Sequence, residues 1–368
     1  MDFKQIKQRL DLGLFILVFA LMSLGLMMVL SSSFLLAQKN YGDPYFFLKK
    51  QAFYAFIGFI FIIGLVRFIP YQLYRRFSYP LLFLAILGLG LVFVPGLGKE
   101  VNHATRWVRL GPLSLQPSEL AKIAYIIYLA AIISQKEKIK YFSLTILPAL
   151  IIYVIIAGLL LAEPDMGAVA LLASLTFCMF FLSGAKIVHL FLVACPVLLA
   201  LFYLVLSAPY RLKRLLGFLH PESDPLGVGY VILHSKLAFA HGGILGLGLG
   251  GSQQKLFYLP EPYTDYIFSI IGEELGFFGV ILVILLFVLL FWRSINIARS
   301  ARDLFGFYLA WGIGLSICIQ AIIHMGVCLG LLPPKGIALP FISYGGTALW
   351  VNLIGIGILE NIYAQGKR

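Results

Sequence analysis

Charge is scarce in this sequence: Asp, Glu, Lys and Arg make up 12% of 368 residues, whereas soluble globular proteins carry roughly 25%. With 61% of the residues hydrophobic, water is excluded as the main solvent, and no soluble domain of ordinary size remains. Cysteine is rarer still. Cys178, Cys195, Cys318 and Cys328 all fall inside apolar runs without paired metal-ligand spacing, so they read as inert packing residues. Several catalytic signatures are missing: there is no G-x-S-x-G nucleophile elbow, no P-loop and no H-E-x-x-H helix. His220, His234 and His241 share one loop, but their spacing matches no metal motif. The run Gly246-Leu247-Gly248-Leu249-Gly250-Gly251 formally matches a dinucleotide fingerprint, yet it lacks the strand, helix and βαβ unit that fingerprint needs. Its glycines are expected to permit tight turns or close backbone approach instead. A net charge of +12 does not imply a nucleic-acid partner, because the basic residues are scattered through short loops rather than gathered in a patch.

What the chain has is a succession of apolar runs, each close to the ~20 residues that cross a bilayer as a helix. They predict an all-α polytopic membrane protein of about ten transmembrane helices, near 12–36, 50–68, 78–95, 118–135, 142–162, 167–184, 187–208, 266–292, 305–331 and 341–363. The first run is longer than a signal-peptide core and shows no clear cleavage site, so a retained helix is expected. One membrane domain, 1–368, is expected to fill the chain, with a long loop at 209–265 between the seventh and eighth helices. With the amino terminus in the cytoplasm, fifteen Lys and Arg residues fall in inner loops and ends against seven in the short outer loops. That asymmetry places both termini inside and the 209–265 loop outside.

Ionisable groups in or beside membrane spans are costly and mark functional cavities by default. In Gln116-Pro117-Ser118-Glu119-Leu120-Ala121-Lys122, the Pro and Ser suit a first helical turn, and Glu119 and Lys122 share one helix face. The pair is either a local cap or part of a polar cavity. Glu163-Pro164-Asp165 brings two carboxylates to a turn, where Asp165 also suits an N-cap. The long loop starts with Arg211, Lys213 and Arg214 and runs to Lys255, Glu261 and Asp265, with Asp265 at the start of a helix. Taken alone, capping accounts for that aspartate. Pro333-Pro334-Lys335-Gly336 and Leu339 to Thr347, with Ser343, interrupt an apolar stretch. Irregular backbone at membrane depth is tolerated only when buried in protein or lining a cavity, so this is a candidate cavity wall. Arg106-Trp107-Val108-Arg109, in the 96–117 segment, reads at least as well as an interfacial anchor as it does a substrate contact.

Several of these motifs, in this order, resemble the shape, elongation, division and sporulation (SEDS) family over essentially the whole chain. They are Gln116-Pro117-Ser118-Glu119, Pro164-Asp165, Asp224-Pro225 with Gly229-Tyr230, the stretch from Gly242 to Glu274, and Pro334 to Gly346. Ile271-Gly272-Glu273-Glu274 and Pro334-Lys335-Gly336 resemble its division branch more than its elongation branch. Val231 and Tyr266 depart mildly from the family wording, where glutamine and phenylalanine are common.

The resemblance implies a peptidoglycan glycosyltransferase that polymerises lipid II into glycan strands on the outer face of the bacterial cytoplasmic membrane. A division role at the septum would follow from the branch. An acceptor hydroxyl must lose a proton as it attacks the donor's anomeric carbon, and Asp265 is the expected general base. Turning an α-linked diphosphate into a β-linked glycan is inversion and needs no covalent intermediate. Charge on the leaving diphosphate would be met by a divalent cation, Mg or Mn, or by basic side chains, with Lys335, Arg211 and Lys255 as candidates. Glu119, Lys122, Asp165, Lys255, Glu261, Lys335 and Ser343 are the expected substrate-binding residues. No transpeptidase domain fits among the spans and short loops, so the expected partner is a class B penicillin-binding protein within the division complex. The competing functions are a lipid II flippase, a scaffold for a synthase, and an elongation-type polymerase. A carrier would be expected to hold its binding groups near the bilayer midplane rather than at a loop end.

Overall fold

A computed structural model describes residues 10–101, 104–110, 113–135, 145–191, 212 and 216–366. Most of the expected helix 187–208 lies outside these residues. So do Cys195, Arg211, Lys213 and Arg214, together with the basic residues of both termini and of the 136–140 loop. The other nine expected spans each have a helix among the described residues: α1 (Leu12–Tyr41), α2 (Phe46–Phe68), α4 (Ser78–Leu91), α5 (Pro117–Ile133), α6 (Leu147–Ala162), α7 (Met166–Leu182), α9 (Ile267–Ser300), α10 (Leu304–Cys328) and α11 (Gly346–Ala364). Short α3 (Gln72–Arg76) and α8 (Val228–Gly242) complete the helices used below. Among them α1, α9, α10 and α11 are long and apolar enough to cross a membrane, and α4, α6 and α7 are shorter apolar helices. The chain is a polytopic helical membrane protein.

Helix limits follow local chemistry. Asp11 and Asp303 cap α1 and α10 by accepting from the N–H groups of Leu14 and Gly306 at 3.1 and 2.7 Å. Pro117 occupies the first turn of α5, where its missing N–H costs nothing. The last span begins at Gly346 rather than near 341, because Phe341 takes a positive φ of 65° and the chain turns before the helix starts.

Two features shape the site, of which the first, a sheet, is not among the sequence expectations. The 96–117 segment folds into a three-stranded antiparallel sheet, β1 (Gly98–Val101), β2 (Ala104–Leu110) and β3 (Leu113–Leu115), with Trp107 opposite Lys99 and Arg109 opposite Ser114. The described part of the long loop contains α8 and a series of tight glycine turns. Its glycine run closes against a break in α9 at Gly276, whose φ is 64°. There Leu247 N and Gly248 N donate to the carbonyls of Glu273 and Glu274, and Phe277 N donates to Gly243 O. A Cβ on Gly246 would collide with the Glu274 carbonyl, so the close backbone approach expected of these glycines is realised.

Between α10 and α11, residues 333–345 form no regular structure, and side chains satisfy their backbone. Gln320 Nε2 donates to Ala338 O at 2.8 Å, His324 Nδ1 pairs with Ile337 O at 2.6 Å, and Gln51 Nε2 donates to Ser343 O at 3.1 Å. That supply of partners is what permits irregular chain inside a helical bundle. Helix α11 packs on α2, α9 packs on α10 and α1, and α5 packs on α4 and α10, and the 333–345 segment shares a cavity wall with Arg106 and Trp107 of β2.

Candidate active site

Where these pieces converge, they enclose a cavity of about 420 Å³. Its wall contains Glu119 and Lys122 from α5, Asp165 from the start of α7, Glu261 and Asp265 from the long loop, and Gly336, Ile337 and Ala338 from the irregular segment. Helix periodicity explains the α5 contribution: Glu119 and Lys122, three residues apart, form an ion pair at 2.6 Å. Lys122 is buried and also donates to Gln320 Oε1 at 2.8 Å. Gln320 in turn holds Ala338, so the charge pair and the irregular wall belong to one network.

Asp265 ends the long loop, but it does not cap the following helix. The cap position of α9 is Tyr266, and no side chain caps it. The backbone around the aspartate is tied down on several sides. Asp265 N donates to Glu261 O, Ser343 Oγ donates to Thr264 O at 2.7 Å, and Cys328 Sγ donates to Asp265 O at 3.6 Å. Burial and the Glu261 carboxylate push the Asp265 carboxyl up to about 7, with Asp165 adding to the rise and the Arg106 guanidinium opposing it. A carboxylate held near neutrality and facing a cavity is suited to accepting a proton.

Asp165 has two tasks. Its carboxylate caps α7 by accepting from Ala168 N at 3.0 Å, and it lines the cavity. Its neighbour Glu163 is fully buried, and neither carboxylate oxygen has a hydrogen-bond partner. Burial first, then Asp165, pushes Glu163 up to about 8.

Three expected site residues stand elsewhere. Lys255 forms an ion pair with Glu274 at 2.7 Å and donates to Ser31 Oγ at 3.1 Å, and it is absent from the cavity wall. Ser343 accepts from Leu339 N and donates to Thr264 O, so it braces the segment that carries Asp265. Gly336, not its neighbour Lys335, meets the cavity. Conversely, sequence reasoning left Arg106 open between anchor and contact, and the structure sets it in the wall. The sheet turns β2 so that Arg106 Nε donates to Glu163 O at 3.1 Å and Nη2 to Pro164 O at 2.6 Å.

A second cavity of about 580 Å³ shares Trp107, Glu261, Thr264, Tyr344 and Gly345 with the first. Lys50 and Arg109 bring positive charge to it, and Tyr41, Phe46, Tyr54, Tyr263 and Trp350 give it ring faces. Aromatic faces beside cations suit sugar rings and phosphorylated or apolar groups. Among the described residues no three His, Cys, Asp or Glu side chains form a group able to hold a metal ion.

Comparison with known proteins agrees over the whole length. The chain is 47% identical over 361 residues to the probable peptidoglycan glycosyltransferase FtsW of Trichlorobacter lovleyi, covering 97% of this chain and 94% of that one. A solved chain from a study of how a peptidoglycan synthase complex coordinates polymerisation and crosslinking superposes with a TM-score of 0.78 at 30% identity, over 96% of this chain and 97% of that chain. The rod shape determining protein RodA of Thermus thermophilus superposes with a TM-score of 0.73 at 26% identity, covering 98% and 99% of the two chains. The family described as cell cycle proteins and named for FtsW, RodA and SpoVE matches residues 12–368, and this chain belongs to it.

Proposed function

We propose that the chain is a peptidoglycan glycosyltransferase in which the Asp265 cavity polymerises lipid II at the outer face of the bacterial cytoplasmic membrane. The observation that carries this reading is the Asp265 carboxylate itself: it faces a cavity, it is not engaged in capping, and its environment holds it near neutrality. In the reaction the acceptor sugar's hydroxyl gives its proton to Asp265 while its oxygen bonds to the donor's anomeric carbon. The lipid diphosphate departs from the opposite side, so the anomeric configuration inverts. Glu119, Lys122, Asp165 and Glu261 bind and orient the sugars from the same wall. The two adjoining cavities give room for donor and acceptor together.

Magnesium and manganese are bound mostly through one or two carboxylates plus substrate phosphates. Asp165, Glu261 and Asp265 on the cavity wall are the carboxylates that would hold such an ion together with the substrate's diphosphate, where it would supply positive charge to the leaving group. The sheet end of the bundle faces outward and both termini face the cytoplasm, as the Lys and Arg asymmetry indicates. The partner is a class B penicillin-binding protein that cross-links the strands, and the cellular setting is the division septum. Relatives named FtsW and a neighbour from a synthase complex support that assignment.

Labelled lipid II, purified protein and its transpeptidase partner provide the test. Asp265→Asn keeps size and can still accept a hydrogen bond, but it cannot take a proton; polymerisation is expected to fall by ~10²–10⁴ while insertion and partner binding persist. Long strands at near wild-type rate from the folded variant would remove Asp265 from catalysis. A flippase need not deprotonate a sugar, so transport insensitive to this change together with absent polymerisation in the wild type would favour that rival. A reporter fused near Ser252 that reads as cytoplasmic would overturn the orientation.

A further inference from the structure

Transfer leaves the departing diphosphate with one more negative charge at the moment its bond to the anomeric carbon breaks, close to the group that takes the acceptor's proton. The cation best placed to meet this charge is one that shares the cavity of Asp265, whereas Lys50 and Arg109 stand on the wall of the adjoining cavity. The sequence offered Lys255, Lys335 and Arg211 for the task. Lys255 is paired with Glu274 away from the cavity, and Gly336 occupies the wall beside Lys335. Arg211 lies outside the described residues. Lys122 does line the cavity, but Glu119 at 2.6 Å already compensates its charge.

Arg106 is different in kind. It lines the cavity with Asp265, and its guanidinium is fixed by two neutral acceptors, the carbonyls of Glu163 and Pro164 at 3.1 and 2.6 Å. Carbonyls orient a guanidinium without cancelling its charge, and two bonds use two of its five N–H donors. A planar donor fork held in place is the geometry that matches phosphate oxygens. Its anchorage and that of the base are independent: β2 and the α6–α7 turn hold Arg106, whereas the long loop and the 333–345 segment hold Asp265.

We infer that Arg106 is a catalytic residue that binds the lipid diphosphate and takes up its charge as it leaves, an inference that rests on the glycosyl-transfer reading above. The new bond joins the acceptor oxygen to the anomeric carbon, and the broken bond joins that carbon to a diphosphate oxygen. The proton goes to Asp265 and the bonding pair leaves with the diphosphate, opposite Arg106. Removing a preorganised donor of this kind costs roughly 10²–10³ in kcat.

The experiment uses the full-length protein with its transpeptidase partner, labelled lipid II, and farnesyl diphosphate and farnesol as inhibitors. Arg106→Ala is expected to lower kcat by roughly 10² and to weaken inhibition by farnesyl diphosphate about tenfold, leaving inhibition by farnesol unchanged. Arg106→Lys keeps the charge and should recover most of the diphosphate affinity but only part of kcat, and added guanidinium should partly restore Arg106→Ala. Arg299→Ala, which removes an exposed charge at the far end of α9, should match wild type. Thermal unfolding in detergent identifies folded variants. Equal farnesyl diphosphate inhibition of wild type and folded Arg106→Ala overturns the inference. If Arg106→Ala does not fold, Arg106→Lys decides: diphosphate affinity near wild type with reduced kcat supports the inference, and wild-type values of both overturn it. Wild-type protein that makes no strands would instead bring down the transferase reading itself.

Discussion

Two buried lysine–glutamate pairs in this molecule are made of the same groups and serve different ends. Lys255 and Glu274 meet at 2.7 Å with side chains 8% and 0% exposed, and Lys122 and Glu119 meet at 2.6 Å with side chains 6% and 12% exposed. Around the first pair every neighbouring charge or hydroxyl is engaged: Ser31 bonds to Glu274, and the adjacent Glu273 accepts from Ser252 Oγ and from the N–H groups of Gln253 and Gln254. That cluster pins the long loop to the first half of α9, and so fixes where Asp265 emerges. The second pair opens onto the cavity and is tied through Gln320 to its irregular wall. The two pairs are thus similarly buried and differ in whether they open onto the cavity of Asp265.

Paired substitution should separate the two ion pairs most. Replacing both members of a buried ion pair with neutral groups of similar volume is often tolerated, because the desolvation cost goes away with the attraction. Lys255→Met with Glu274→Gln should thus keep fold and polymerisation near wild type. Lys122→Met with Glu119→Gln should keep the fold but lose roughly 10² in polymerisation, the scale of a positioned group at a reacting centre. Strand synthesis and detergent melting of both double variants decide it, and equal activity of the two would mean that the pairs serve the same role.

Single substitutions sharpen the same contrast on the stability side. Lys255→Met leaves Glu274 buried without its partner, and such a loss costs about 3–5 kcal/mol. Unfolding of Lys255→Met, Glu274→Gln and the double variant should show strong coupling, with most of the loss recovered in the double. Additive losses would mean that the two side chains act separately.

Much of the candidate cavity's lining is legible because charge stands out in an apolar chain. Glu119, Lys122, Asp165, Glu261 and Asp265 were all noticed for that reason, and all line one cavity. The irregular stretch around Gly336 was legible from its prolines and glycines. Arg106 could not be assigned the same way. Its place depends on β2 pairing within a short polar sheet and on carbonyls of a distant turn, and strand pairing between segments this short leaves little periodic signal. Lys255 and Ser343 were misplaced for the complementary reason: their types suit substrate binding, but Glu274 and the Thr264 carbonyl already occupy them. Sequence shows which groups are polar, and only folding decides which of them are already engaged.

Gly336 offers a finer probe of the cavity side. A Cβ there would stand 2.8 Å from Asp265 Oδ2, closer than real contacts allow. The obstructed atom ends a side chain that can rotate, so Gly336→Ala should fold normally and displace the carboxylate instead. Misplacement of a reacting group by about 1 Å can cost 10²-fold, and a partial displacement should lower kcat about tenfold with KM little changed. Wild-type kcat in Gly336→Ala would mean that the carboxylate position is not critical.

The smallest expected effect is a shift along the pH axis. Asp265 is raised to about 7 by burial first and by Glu261 second, with Arg106 opposing and Asp165 assisting, while the paired Glu119 and Lys122 face the same cavity. A base must be ionised to accept a proton, so kcat/KM should rise with pH on an acid limb near 7 rather than near 4. Stability runs the other way. The folded protein holds this proton more tightly than the unfolded chain, so the group's contribution is complete below pH about 4 and is lost as pH rises through about 7. Asp265→Asn should remove that dependence and melt higher than wild type at pH 8. Glu261→Gln removes the neighbouring negative charge and should move the acid limb to lower pH without abolishing synthesis. The Lys255–Glu274 lock is not on the wall of the Asp265 cavity, so Lys255→Met with Glu274→Gln should leave the limb where it is. An acid limb that stays put in Glu261→Gln, or that moves equally in both variants, would show that the titration belongs to some other group.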